Sequence, residues 1–235
     1  MNGLTEKSSQ LALDISIDDK ASFENFWVGH NHELATAIET SVRTGDPKLL
    51  YFYGPKSAGK SHLLFAAIRL AKEEILASSY VCLSNSRVSE SQLEAVDVQH
   101  LVCIDDLQAW VANDTAERAL FTLLEQIKHA GGQLIVSATQ PPEALGFELR
   151  DLVSRLSSGL VYPLQTLTEE QQFEALKMRA GQRGLSISEE AVRYLMSRSS
   201  RDTGELFELL DNIDRVSLIE KRRITIPFLQ TLLQA

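Results

Sequence analysis

The run Leu49–Tyr53, LLYFY, passes directly into Gly54-Pro55-Lys56-Ser57-Ala58-Gly59-Lys60-Ser61 and then into HLLFAAIRLAKEEIL, residues 62–76. The octet satisfies G-x-x-x-x-G-K-[ST] in full. Its surroundings are those the pattern requires: an apolar β-type run before it and a helically spaced run, Ser61–Ala77, after it. Glycines 54 and 59 let the backbone curl so that its N–H groups point at phosphate oxygens; the following helix adds the positive potential of its N-terminus. Within this cradle Lys60 is placed to reach the β and γ phosphates, and Ser61 to offer its hydroxyl to Mg²⁺. The unit is a nucleotide-binding loop between a strand and a helix.

Further apolar runs follow at Tyr80–Leu83, Leu101–Ile104, Leu134–Ser137 and Leu160–Leu164, with a helical pattern at Glu117–His129. Continuous rather than alternating apolar residues predict strands buried on both faces, hence a parallel sheet covered by helices: an α/β fold. The third run ends in Asp105-Asp106, two carboxylates at the carboxyl end of a buried strand. That edge faces the nucleotide in such folds, so Asp105 is the candidate for the magnesium shell and Asp106 for the base that polarises an attacking water. Thr139 and Gln140 fall just past the next strand, where a polar side chain can meet a phosphate or that water.

After Pro163 no strand pattern continues. Thr168, with Gln171 three residues on, opens a helix predicted to run to Arg183 with Gly184 beyond it. Ser188 opens a second, Gly204–Arg222 forms a third, and Ile226-Pro227 starts a short last one. The expected organisation is therefore an N-terminal arm over residues 1–20, an α/β nucleotide-binding domain over 21–165 and a small all-helical domain over 166–235.

Composition narrows the function classes. The 235 residues carry 23 Lys plus Arg against 32 Asp plus Glu, a net charge of −9, which disfavours broad phosphate-backbone contact with DNA. Two cysteines, Cys82 and Cys103, both in apolar runs, support neither a disulfide framework nor a cysteine-rich zinc site and read as buried small hydrophobes. No apolar run reaches membrane-spanning length, and MNGLTEKSSQ lacks the apolar core of a signal peptide. A cytoplasmic protein without membrane attachment is expected. The five histidines lack metal-ligand spacing, and Lys221-Arg222-Arg223 reads as a basic helix end.

GPKSAGKS, CIDDLQ, LIVSATQPP and LRDLVSRL, in that order and spacing, resemble the AAA+ ATPases and, within them, the bacterial chromosomal replication initiators of the DnaA family. The resemblance extends from about Phe23 to the C-terminus. It implies an AAA+ α/β domain followed by a helical lid. Phe26-Trp27-Val28-Gly29-His30-Asn31 resembles the family's F-x-V-G-x-N segment, which implies that Val28 and Gly29 line the adenine. The initiator's helix-turn-helix domain would need roughly 100 residues beyond the lid. Its long N-terminal region is replaced here by Gln10-Leu11-Ala12-Leu13-Asp14-Ile15. That peptide is similar to the one by which bacterial proteins dock on the DNA polymerase sliding clamp, with Gln10 fixing register and Leu11, Leu13 and Ile15 filling a pocket; Asp14 stands where proline or a large apolar residue is usual.

The combination resembles the Hda family, regulatory inactivators of the initiator. This implies a bound adenine nucleotide, ADP or ATP, with Mg²⁺, and two partners: the clamp and the initiator, whose ATP hydrolysis the family stimulates. It implies no sequence-specific DNA binding and leaves self-association open. By motif position Arg155 is the arginine that acts in trans on the partner's phosphates, with Arg150 as the spare; a planar, always-charged fork suits that role. The lid's phosphate-sensing arginine is replaced by Gly204, with Arg201 three residues upstream, which implies weak turnover by the chain itself. A helicase loader on the same core and a stand-alone ATPase or phosphotransferase are the competing readings.

Overall fold

The computed structural model describes residues 21–198, 202–220 and 223–234. The clamp-like peptide (Gln10, Leu11, Leu13, Asp14, Ile15) lies outside the described residues, as do Arg201, Lys221 and Arg222.

Five strands form one parallel sheet: β1 Leu49–Tyr53, β2 Ser78–Cys82, β3 Leu101–Asp105, β4 Gln133–Ala138 and β5 Leu160–Pro163, in the order β2-β3-β4-β1-β5. β1 has the bounds that its sequence predicts; β3 and β5 differ by one residue at the carboxyl end, and β2 and β4 by one or two residues at both ends. Helices α1 (His32–Thr44) and α2 (Lys60–Glu73) cover one face of the sheet. Helices α3 (Glu90–Leu93), α4 (Asp114–Ala130) and α5 (Arg150–Ser157) cover the other.

The continuous apolar runs are explained by this double cover. Along β1, Leu50 and Phe52 pack with Ile38, Leu63 and Leu64, while Tyr51 between them joins Leu120, Leu152 and Leu156 on the opposite side. β3 divides the same way, with Leu101 and Cys103 on the α1/α2 face and Val102 and Ile104 on the α4/α5 face. Removing a fully buried leucine from such a core costs about 2–5 kcal/mol. Helix α1 is not foreseen from sequence; its buried face of Leu34, Ala35, Ile38, Ser41 and Val42 has only three large apolar side chains.

Past β5 the chain is helical: α6 Glu169–Gln182, α7 Glu189–Arg198, α8 Thr203–Glu220 and α9 Ile226–Gln234. Thr168 caps α6 in a reciprocal box with Gln171, as its spacing predicts. Phe173, Leu176, Val192, Leu206 and Leu210 form one small core of this lid, and Leu195, Ile213, Phe228 and Leu229 belong to a second. Asn31 ties the lid connection down: its amide donates to the Gln165 carbonyl at 3.0 Å and accepts from the Gln165 amide at 2.8 Å.

Candidate functional site

Because all five strands run parallel, their carboxyl ends share one edge of the sheet, and β1, β3 and β4 are contiguous there. The loop after β1 lines a cleft of about 470 Å³ between the α/β domain and the lid. Lys56, Ser57, Ala58, Gly59, Lys60 and Ser61 form its floor. Gly59 holds φ +100°, and a Cβ there would stand 2.9 Å from the Phe26 ring, so glycine is required on both counts. Ser57, two residues before it, also holds a positive φ of 60°, and the Ala58 amide between them donates to the Pro55 carbonyl at 3.4 Å.

The start of α2 is left open to an anion. Its N-cap, Gly59, provides no side-chain acceptor, and its first turn has no acidic residue, whereas α1, α4 and α6 all carry acids there. Lys60 is 7 % exposed, and its ammonium donates to the Gly54 carbonyl at 3.0 Å and the Pro55 carbonyl at 2.9 Å. Burial lowers its pKa, opposed by the fields of Asp105 and Asp106. Gly54 and Pro55 thus serve the loop through their carbonyls rather than as cleft lining.

Asp105, 1 % exposed, ends β3 with three donors on its carboxylate: the Ser137 hydroxyl, the Tyr80 hydroxyl at 2.9 Å and the Asp106 amide at 3.0 Å. Burial, then the Asp105 charge, pushes the Tyr80 phenol far above its usual range, so it remains a donor. Asp106 borders the cleft in a left-handed conformation, φ 58°. Its carboxylate accepts from Ser84 Oγ at 2.6 Å and Gln108 Nε2 at 2.8 Å. Cys103 is buried, as its apolar run predicts; Cys82 is only half-buried, because it sits beside this polar group, with Sγ 3.2 Å from Ser84 Oγ.

The remaining predicted positions distribute unevenly. From the F-x-V-G-x-N segment it is Phe26 and Trp27 that line the cleft, with Asn25 just before them, while Val28 packs toward the α1/α2 core and Gly29 faces Leu167 and Gln171. Thr139 lies just past β4, half-buried and outside the cleft lining; Ser137, two residues earlier, is the β4 residue that reaches an acidic group. Gly204 lines the cleft from the lid, together with Arg179, Thr203, Phe207 and Glu208. Arg179 is not foreseen from sequence. It comes from α6 to lie 4.8 Å over the Phe207 ring and 3.3 Å from Asp211, a contact between helices that no local motif encodes.

Arg155 belongs to a different corner and does not line the cleft. It lies in the last turn of α5, where Nε donates to Glu125 Oε1 at 2.6 Å and Nη2 bonds the same oxygen. Both side chains are about one-quarter exposed. Helix α4 also seats the start of α5: Glu117, 1 % exposed, accepts from the amides of Glu148 at 2.9 Å, Leu149 at 2.8 Å and Ala112 at 3.1 Å. Arg150, at the first position of α5, is exposed.

This arrangement of loop, acidic strand end and helical lid agrees with the comparisons. The bacterial DnaA ATPase domain matches residues 17–163, more than half of the chain. The chain belongs to the bacterial DnaA ATPase family. Its residues 169–233 match the Hda lid domain, which places this DnaA-like AAA+ chain close to Hda. An uncharacterized protein of Haemophilus influenzae is 39 % identical over 228 residues, covering 96 % of this chain and 99 % of that protein. Domain III of the Thermotoga maritima replication initiation protein DnaA superposes with a TM-score of 0.76 at 21 % identity, covering 91 % of this chain and 95 % of that one. The AMPPCP-bound DnaA of Aquifex aeolicus gives 0.68 at 22 % identity, covering 84 % and 66 %. The fold of this DnaA-family chain is thus that of the initiator's nucleotide-binding domain with a helical lid.

Proposed function

We propose that this chain regulates the initiation of chromosomal replication by acting on ATP held by the initiator, while holding an adenine nucleotide of its own. The supporting observation is the separation of two cationic centres. Lys60 is buried beneath the chain's own cleft, whereas Arg155, the arginine expected to act in trans, stands outside that cleft on the α5 corner. An arginine so placed serves a neighbouring molecule's phosphates better than its own.

The residues present fit a nucleotide. The uncapped start of α2, the loop from Gly54 to Ser61 and the buried Lys60 would hold the phosphates, and the wall of Phe26 and Trp27 would meet the base. Ser61, which lines the cleft, would hold Mg²⁺, with Asp105, buried outside the cleft lining and already accepting three hydrogen bonds, adding its charge; the ion supplies charge neutralisation on the phosphates when bound. Asp106 is a weak candidate base because Ser84 and Gln108 already occupy its carboxylate, which fits low turnover by the chain itself. On the partner, Arg155 would stabilise negative charge developing on the transferring phosphoryl group, an effect worth about 10³-fold or more. Docking on the sliding clamp through Gln10, Leu11, Leu13 and Ile15 would bring the chain to replicated DNA, and its cytoplasmic location follows from that role.

The test follows conversion of initiator-bound ATP to ADP with clamp-loaded DNA present, comparing wild-type chain with Arg155→Ala. Acceleration that is lost in the variant supports the proposal. Absence of acceleration by wild type contradicts it and turns attention to the replicative helicase as partner.

A further inference from the structure

Helices α4 and α5 are joined by an ion pair unlike its neighbours. Arg155 in α5 and Glu125 in α4 are 24 % and 27 % exposed. In the other described pairs of the α/β domain, Arg43 with Glu39 and Glu74, Arg69 with Glu73 and Arg118 with Asp114, every side chain is between 40 and 69 % exposed. Water and salt screen such surface pairs, and a half-buried pair is screened less. Both partners also stand on rigid ground. Leu123 and Leu124 precede Glu125, Leu152 and Leu156 flank Arg155, and all four are 3 % exposed or less in one core. The bonding uses only one side of the guanidinium. Nε donates to Glu125 Oε1 at 2.6 Å and Nη2 donates to the same oxygen, while no described residue accepts from Nη1. The edge formed by Nη1 and Nη2 is the fork that matches two oxygens of a phosphate. Glu125 takes the other edge and leaves that fork with donors to spare.

We propose that Glu125 is a positioning residue for Arg155, holding the guanidinium by its Nε edge so that the Nη1/Nη2 fork is ready for the phosphates of ATP on a neighbouring molecule. The inference rests on the reading of Arg155 as acting in trans and adds the residue that orients it. A long, mobile side chain must be immobilised when it meets its ligand, and a partner that fixes it beforehand removes that cost. The carboxylate does this without competing for the fork. Among the described residues Glu125 is the acid that performs this role: Asp151, one turn before Arg155 on α5, is exposed and makes no bond to the guanidinium. Arg150, at the first position of the same helix, is exposed and has no such partner among the described residues, so it lacks the same preparation.

The experiment follows conversion of initiator-bound ATP to ADP with clamp-loaded DNA present while the concentration of the full chain is varied. It reads the maximal rate and the half-saturating concentration separately, with the urea midpoint of each variant beside them. Glu125→Gln keeps the size of the side chain and removes the charge that holds the guanidinium. It should lower the maximal rate by about tenfold, as lost alignment does, and leave the half-saturating concentration within about twofold. Glu125→Asp, which retains a carboxylate on a shorter stem, should recover part of the rate. Asp114→Asn, which removes an exposed acid from the same helix α4, should change neither quantity. An undiminished maximal rate in Glu125→Gln overturns the positioning role, and a raised one makes the carboxylate a mask over Arg155 instead. A lost rate that comes with a lowered urea midpoint, and without recovery in Glu125→Asp, makes the pair a structural tie and also overturns it. Absence of acceleration by wild type, or acceleration retained by Arg155→Ala, defeats the reading of Arg155 itself, and the positioning role with it.

Discussion

The phosphate loop and the Arg155 corner lie on one α/β domain and are built in opposite ways. At the loop, eight consecutive residues make the site: Lys60 is held by the carbonyls of Gly54 and Pro55, six and five residues before it. At the corner, Arg155 is held by Glu125, thirty residues earlier, and its helix is seated by Glu117, more than thirty residues before the amides it caps. A cradle closed by its own neighbours is specified by a short motif. A corner closed by contacts between helices depends on the whole domain for its geometry. The first kind of site should fail locally when changed; the second should fail through stability or positioning.

That distinction can be broken by substitution. The largest effect is expected at the loop: Lys60→Ala should weaken ADP binding by up to about a hundredfold, since charge-assisted contacts are worth about 1.5–3 kcal/mol each, with little change in the urea midpoint. Equal loss of stability would mean that the loop is also a structural staple. Glu117→Ala should do the reverse, leaving three amides without their buried acceptor at a cost of about 3 kcal/mol in urea unfolding. ADP affinity of the folded fraction should be preserved, and an unchanged midpoint would refute the account of how α5 is seated. Tyr80→Phe, which removes one of three donors from Asp105, should cost about 1 kcal/mol. A cost as large as that of Glu117→Ala would show that the phenol is the main support of that carboxylate.

The same contrast explains what could be read beforehand. β1 and the loop are legible because strand, glycines, lysine and serine are contiguous and each residue type has a local physical reason. The parallel sheet is legible because double-sided burial leaves unbroken apolar runs such as LVCI. The lid's helix starts announce themselves through Thr168 and Gln171. Tyr80, Ser137, Glu125 and Arg179 carry no such signal. Each matters only because the fold brings it to a partner on another element: Tyr80 and Ser137 to Asp105, Glu125 to Arg155, Arg179 to Phe207. Ser137, a hydroxyl inside a fully buried strand, was the one among them with a hint in its surroundings, because such a group needs a partner.

The central claim is that the chain's own nucleotide and the arginine acting on its partner belong to separate sites. The most direct measurement is the ADP affinity of Arg155→Ala by titration calorimetry. The account predicts a dissociation constant within about twofold of wild type, because Arg155 stands outside the cleft and a side chain without ligand contact contributes little to affinity. A loss of about tenfold or more would place Arg155 in service of its own chain's nucleotide and contradict the separation.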